Sequence, residues 1–141
     1  MELRPVEFTG RVLVPGEASG RLLCLSKPIS LWGGVDPTTG KIIDPRHPDH
    51  GLDIAGSILV LPATIGSSSS SAIMLELMRH DRAPAAVVLG RVDAILTLGV
   101  VVGRELGYPS VPVMEISEAE AMQMPKAGNA RVTIEGQLLV E

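Results

Sequence analysis

The chain has 141 residues, of which 45% are hydrophobic and 20% charged, with a formal net charge of −4. That is the length of a single domain with apolar residues enough for its own core, and it excludes general disorder. Aromatic residues make up 2% (Phe8, Trp32 and Tyr108), so stacking platforms for single strands are missing, and the acidic balance gives no footprint for a phosphate backbone.

Nucleic acid is therefore excluded as a partner, and 1–141 reads as one domain without internal repeats. Cys24 is the sole cysteine. It forms no internal disulfide, and one thiol does not hold a zinc ion or an iron–sulfur cluster, so it reads as a small buried hydrophobe. Met1–Pro5 carries no apolar signal segment, and no run reaches the length of a membrane span. A soluble, cytoplasmic protein with no membrane partner is expected.

In chain order, Val6–Val14 and Arg21–Leu25 read as strands joined by a turn over Pro15–Gly20. From Ser30 to Gly56, Pro, Gly, Asp and His dominate, and only Lys41-Ile42-Ile43 offers a brief extended piece. A loop of that length in a compact domain is usually functional. Ser57–Pro62 is an apolar run closed by proline and reads as a buried strand. The serine run Gly66–Ser71 follows, then Ile73, Met74, Leu77 and Met78 at helical spacing, which predicts a helix over Ser71–His80. A strand at Ala85–Leu89, a helix from about Asp93 to Leu106 and a strand at Val111–Met114 come next. The second helix carries Ile95, Leu98, Val102 and Leu106 on one face, and Asp93 reads as its cap. Ser117 and Glu120 have the spacing of a capping box. Arg131–Glu141 reads as a hairpin turning at Glu135-Gly136. Strand–helix–strand–helix–strand in the middle implies right-handed parallel crossovers, and flanking hairpins make the whole a mixed α/β domain, not a doubly wound sheet.

The serine run stands where a strand end turns into a helix N-terminus. Unpaired N–H groups and the positive end of the helix dipole converge there, so an anion, or a serine alkoxide, is stabilised. A flexible polar linker is the bland alternative, but a linker would carry more glycine and lack tight hydrophobic flanks. Ser70 and Ser71 are read as serving turn geometry and capping. His47, Asp49 and His50 form a His-Pro-Asp-His cluster. Pro48 and the loop context remove the helical spacing of metal-binding His pairs, so Arg46 and His47 read as facing a substrate or a partner chain, or as solvated polarity. Gly33-Gly34 reads equally as a close approach to a ligand or as a tight turn. No Ser/His/Asp constellation assembles.

Two resemblances add to these readings. Val101–Val113 resembles the helix-to-strand passage of the swivelling phosphohistidine domain of phosphoenolpyruvate-utilising enzymes. Thr97-Leu98-Gly99-Val100 holds no histidine, so this likeness supports a swivelling β/β/α architecture and not a phosphocarrier. More of the chain is covered by the second. Gly16–Gly20, Leu31–Gly40, Ile54–Gly56 and Gly66–Ser69, in that order, resemble the small subunit of the aconitase X family. That resemblance implies a domain similar to the swivelling fourth domain of aconitase, with flanking β hairpins, and a separate large chain that holds an iron–sulfur cluster. This chain would bind no metal.

The same resemblance implies removal of water from a small hydroxy acid. Cluster iron would act on the leaving hydroxyl and Ser67, as alkoxide, would take the proton from the neighbouring carbon. Ser68 and Ser69 would bind substrate, and Gly33, Gly34, Arg46 and His47 would line the cleft or the subunit interface. Where aconitase carries a carboxylate-binding arginine, Ser69 stands here. The uninterrupted Ser67–Ser71 resembles the bacterial branch that dehydrates cis-3-hydroxy-L-proline to a pyrroline-2-carboxylate. Dehydration of mevalonate 5-phosphate, a non-catalytic regulatory subunit and an anion-binding module are the alternatives.

Overall fold

The structure, a computed structural model, describes residues 6–65, 68–125 and 128–141. Its elements are β1 (Val6–Thr9), β2 (Arg11–Val14), β3 (Ala18–Cys24), α1 (Leu31–Gly34, a single turn), β4 (Ile58–Leu61) and α2 (Ser70–Arg79). Then follow β5 (Ala86–Leu89), α3 (Ala94–Glu105), β6 (Val113–Glu115), α4 (Glu118–Met122), β7 (Asn129–Val132) and β8 (Gln137–Val140). The fold is mixed α/β.

The strands are ordered β1-β8-β7-β3-β4-β5-β6-β2. The two ends of that order, β1 and β2, are separated in the chain by Gly10 alone, so the sheet closes on itself. At this corner the chain leaves its antiparallel partner β8 and joins β6, also antiparallel. A Cβ on Gly10 would stand 2.1 Å from the backbone oxygen of Glu115. No side chain fits where one strand crosses between two halves of a sheet. β3 makes the second crossing: Ala18–Arg21 pair antiparallel with β7, and Leu22–Cys24 pair parallel with β4.

The strands expected at Val6–Val14 and Arg21–Leu25 are present, the second starting earlier, at Ala18. They do not pair with each other: β2 pairs with β6, and β3 with β7 and β4. Closure satisfies strand edges that a free hairpin would leave open. The C-terminal hairpin forms, with Val132 opposite Leu138 and Gly136 in the left-handed region at φ 87°.

In the middle, β3, β4, β5 and β6 run parallel, with α2 and α3 as crossovers. Both faces of these strands are buried, as helix-covered parallel strands require. Leu59, Leu61, Val87 and Leu89 pack with Ile73, Met74, Leu77, Leu96 and Val100 of the helices. Ile58, Val60, Ala86 and Val88 face the other way, onto Ala130, Val132, Leu138 and Val140. The result is three layers: an antiparallel sheet, a mainly parallel sheet, and helices.

The long segment 30–56 belongs to the helical layer. Leu31, Val35, Ile42 and Ile54 enter the same core as α2. Single bridges join Val35 to Ile42 and Lys41 to Asp53, and the Arg21 guanidinium donates to the backbone oxygen of Asp53.

On α3 the residues expected on one face do share it, but that face points to solvent: Ile95, Leu98, Val102 and Leu106 are all exposed. The buried side is Leu96, Gly99, Val100 and Gly103. Helix α3 presents its small residues to α2, because a Cβ on Gly99 would stand 2.6 Å from the Ser71 backbone oxygen. Close axial approach is decided by the smaller side chains, not by the larger ones. Among the described residues, no helix is long and apolar enough to cross a membrane.

Candidate active site

Segments leaving the C-terminal ends of the parallel strands gather on one edge of the sheet, the edge where open α/β sheets collect ligands. β3 leads to Leu25–Gly34, β4 to Pro62–Ser69, and β5 to Gly90–Asp93. The first two stay in register beyond the strands: Ile29 bridges Thr64 in parallel, and the Ile65 N–H donates to Ile29 O at 3.0 Å. This puts the Trp32-Gly33-Gly34 turn beside the serine segment.

That turn resolves the two readings of the glycine pair. Trp32 (φ −68°, ψ 117°) and Gly33 (φ 77°, ψ −11°) have type II turn geometry, which calls for glycine at the second position. Gly33 is exposed, and nothing lies within 4 Å of where its Cβ would be. Gly34 is buried, and a Cβ there would meet Ile29 Cγ1 at 2.9 Å. Gly33 therefore shapes an open rim and Gly34 lets the turn seat on Ile29. Trp32 is 62% exposed, and Ile65 beside the serine segment is 57% exposed.

Ser67, the residue expected to be the base, lies with Gly66 outside the described residues. Ser68 is exposed, Ser69 is the N-cap residue of α2, and Ser70 is its first helical residue. Ser69 makes no side-chain capping hydrogen bond. The first helical bond runs from Ile73 N–H to Ser69 O at 3.1 Å, so the N–H groups of Ser70, Ser71 and Ala72 precede the helical ladder. Ser71 does not cap either; its hydroxyl lies 3.5 Å from Ser68 O. Ser70 corrects the expectation of a capping serine most plainly. It has no solvent exposure, and its Oγ has no hydrogen-bond partner among the described residues.

Asp93 closes the neighbouring α3. Its Oδ1 accepts from Ile95 N and Leu96 N, both at 3.0 Å, and its Oδ2 accepts from the Thr64 hydroxyl at 2.6 Å. The cap was legible from sequence. The bond to Thr64 was not, because it joins residues far apart in the chain.

Arg46 and His47 stand on the loop after Asp44. The Arg46 N–H donates to Asp44 Oδ1 at 2.9 Å, and its side chain is exposed. His47 is buried, its Nδ1 accepting from Asp49 N–H and its Nε2 contacting Lys27 O, each at 3.0 Å. A ring whose Nδ1 accepts carries its proton on Nε2, so His47 is a neutral pin between two backbones. Asp49 reinforces the pin by accepting from Ser26 N at 2.8 Å. The loop is thereby held to the segment just beyond β3, on the edge of the serine turn. His80 sits at the far end of α2, where its Nε2 lies 3.3 Å from Glu76. In the same loop layer, hydrogen bonds from the Thr38 hydroxyl and N–H hold the Asp36 carboxyl below its ordinary value.

A match to the family model described as the aconitase X swivel domain extends over residues 7–140. The chain belongs to the aconitase X swivel domain family. A chain in the crystal structure of Thermococcus kodakaraensis aconitase X (holo-form) superposes with a TM-score of 0.84 at 28% identity, covering 96% of this chain and 98% of that one. The chain is 44% identical over 108 residues to a cis-3-hydroxy-L-proline dehydratase of Pseudomonas aeruginosa, spanning 77% of itself but 19% of that enzyme. To the phosphomevalonate dehydratase small subunit of Thermococcus onnurineus it is 33% identical over 118 residues, covering 84% of itself and 88% of that subunit.

Proposed function

We propose that this swivel domain is the small subunit of a hydro-lyase that dehydrates cis-3-hydroxy-L-proline to a pyrroline-2-carboxylate, and that it supplies the base. The observation that carries the reading is the 44% identity to the Pseudomonas aeruginosa dehydratase. The start of α2 on the ligand-collecting edge of the sheet, with no side-chain cap from Ser69, supports it.

In this proposal Ser67 removes the proton from the carbon next to the hydroxyl-bearing one. A serine hydroxyl is a weak base at neutral pH, so its alkoxide needs preorganised donors, which helix N-terminal N–H groups offer. Ser68 and Ser69 hydrogen-bond to substrate or to Ser67. Arg46 and the exposed Trp32-Gly33 turn meet substrate or the large chain, while His47 and Gly34 act from beneath by holding those segments in place. Closure of the domain excludes water.

An iron–sulfur cluster does not fit the described residues of this chain. Cys24, its sole cysteine, is partly buried against the core between the sheets. Among the described residues, no three His, Cys, Asp or Glu side chains converge on a metal-sized site. The proposal therefore assigns the cluster, and the departure of the hydroxyl, to a large chain.

Dehydration of mevalonate 5-phosphate is the second reading. It is supported by the 33% identity to the Thermococcus onnurineus small subunit, 88% of which this chain matches. A phosphate calls for cationic partners, however, and Ser57–Met78 contains neither Lys nor Arg. The test is to reconstitute this chain with its large partner and assay both compounds. Turnover of cis-3-hydroxy-L-proline by the pair, with the purified small chain colourless and inactive, is the expected result. Turnover of mevalonate 5-phosphate alone reverses the choice of substrate, and turnover by the small chain alone overturns the subunit reading.

A further inference from the structure

We propose that the outer face of α3, with the groove between α3 and α2, is a docking surface for the large chain. From Ala94 to Gly103 the helix contains no charged residue. Its inner side, Leu96, Gly99, Val100 and Gly103, is buried against this chain. Its outer side carries Ile95, Leu98, Val101 and Val102, followed by Leu106, all exposed. A helix at a water-facing surface is polar on its outer side, and one that is apolar all round is a buried helix. Leu98 is 55% and Leu106 58% exposed, so no described residue of this chain supplies the cover. Beside them, Ser71, Ala72, Leu75, Leu98, Gly99 and Val102 line a groove of about 260 Å³. At Gly99 the helices are too close to admit a Cβ, which leaves a seam between larger side chains that a partner's aliphatic group can enter.

Three observations choose the occupant. A stable interface takes about 20–30 residues a side. The outer face of α3 supplies only part of that, so it belongs to a broader contact and does not complete a pairing of two copies by itself. Secondly, the face runs on into the candidate site. Val92 and Ile95, both exposed, flank Asp93, whose carboxylate accepts from Thr64 on the segment that leads to the serines. In the dehydratase reading the large chain reaches that edge, and a body seated there extends onto α3 without a gap. Thirdly, charged residues are depleted at the centres of interfaces, and permanent interfaces are the more apolar class. A subunit that stays bound fits an uncharged face. In the Pseudomonas aeruginosa relative the matched part is 19% of the enzyme, so there most of the protein is joined to it in one polypeptide.

This inference rests on the subunit reading for its occupant, and the experiment measures association, not turnover. The full 141-residue chain is titrated into the large chain by calorimetry, beside Leu98→Glu, Leu98→Ala and Ile134→Glu. Ile134 is exposed on the turn between β7 and β8, in the antiparallel layer, and its variant should bind as the unaltered chain does. Leu98→Glu should weaken association about thirtyfold or more, the threshold of an interface hot spot. Leu98→Ala, which adds no charge, should weaken it about tenfold. Melting of each variant alone checks the fold; should Leu98→Glu melt lower than the unaltered chain, Leu98→Ala decides. Unchanged association of the Leu98 variants, or an equal loss with Ile134→Glu, overturns the docking surface and leaves the subunit reading intact. A small chain that is dimeric alone, and that Leu98→Glu dissociates, gives the face to a second copy and also overturns the proposal. If the unaltered chain does not bind the large chain at all, the subunit reading fails and the inference with it. If the pair assembles through α3 but ignores hydroxyproline, the substrate reading fails and the docking surface stands.

Discussion

At the start of α3, every role open to Asp93 is filled: it caps the helix and ties it to Thr64, on the segment leaving β4. At the start of α2, where Gly66 and Ser67 lie outside the described residues, neither Ser69 nor Ser71 makes a side-chain cap, and the buried Ser70 hydroxyl has no partner among the described residues. The two ends lie on the same edge of the same sheet and offer the same dipole. Their difference separates a helix end capped by its own aspartate from one whose N-cap serine makes no side-chain cap. α4 resembles α3 in this respect, with the reciprocal bonds of Ser117 and Glu120 both made. A cap is worth roughly 1 kcal/mol, a contribution that the Ser69 side chain does not make at the start of α2.

The largest effect should come from the α2 end. Ser67→Ala in the assembled enzyme should lower turnover by roughly 10² to 10⁴, the range for a lost general base, with assembly unchanged by size-exclusion chromatography. Near-normal turnover of this variant would remove the base from Ser67. Gly99→Ala tests the packing between the two helices, because the new methyl would stand 2.6 Å from Ser71 O. Denaturant titration should show a loss of about 1–3 kcal/mol, typical of overpacking, and KM should rise as the first turn of α2 is displaced. An unchanged KM would show that the turn tolerates displacement.

The closed end should respond in stability. Asp93→Ala should lose about 1–2 kcal/mol in the same titration, by cap loss and by freeing Thr64, while Asp93→Asn should retain most of it, since Asn caps as well as Asp. If Asp93→Ala left stability intact and abolished turnover, the contrast between the two helix ends would collapse. The smallest effect concerns Asp36. Hydrogen bonds from Thr38 lower its carboxyl, so its contribution is present above the ordinary carboxylate range and lost as pH falls through the lowered value. Thr38→Val should move the Asp36 titration, followed by NMR, upward toward the ordinary value; no movement would mean that the hydroxyl bond contributes nothing.

Much of this was legible in the residues themselves. Apolar runs bounded by Pro and Gly located β4 and β5, helical spacing located α2 and α3, and Asp93, Ser117 and Glu120 announced their caps, because each signal depends on neighbours within a turn or two. The serine segment was recognisable as a strand-to-helix junction for the same reason. One clue passed unread: Ser70 falls at helical spacing from Ile73, Met74 and Leu77, which already puts it on the buried stripe.

Long-range partners were beyond reach of such signals. That β1 and β2 part company at Gly10 to close the sheet depends on a backbone oxygen of Glu115, far away in the chain. That the larger residues of α3 face outward depends on how closely Gly99 and Gly103 let α2 approach, which periodicity alone does not report. His47 looked like a site residue because its chemistry is versatile, and it became a structural pin because Lys27 and Asp49 occupy both ring nitrogens. Local patterns in a chain carry propensities, caps and turn types. Which donor meets which acceptor across the fold, and which donor is left without one, is settled where distant segments pack.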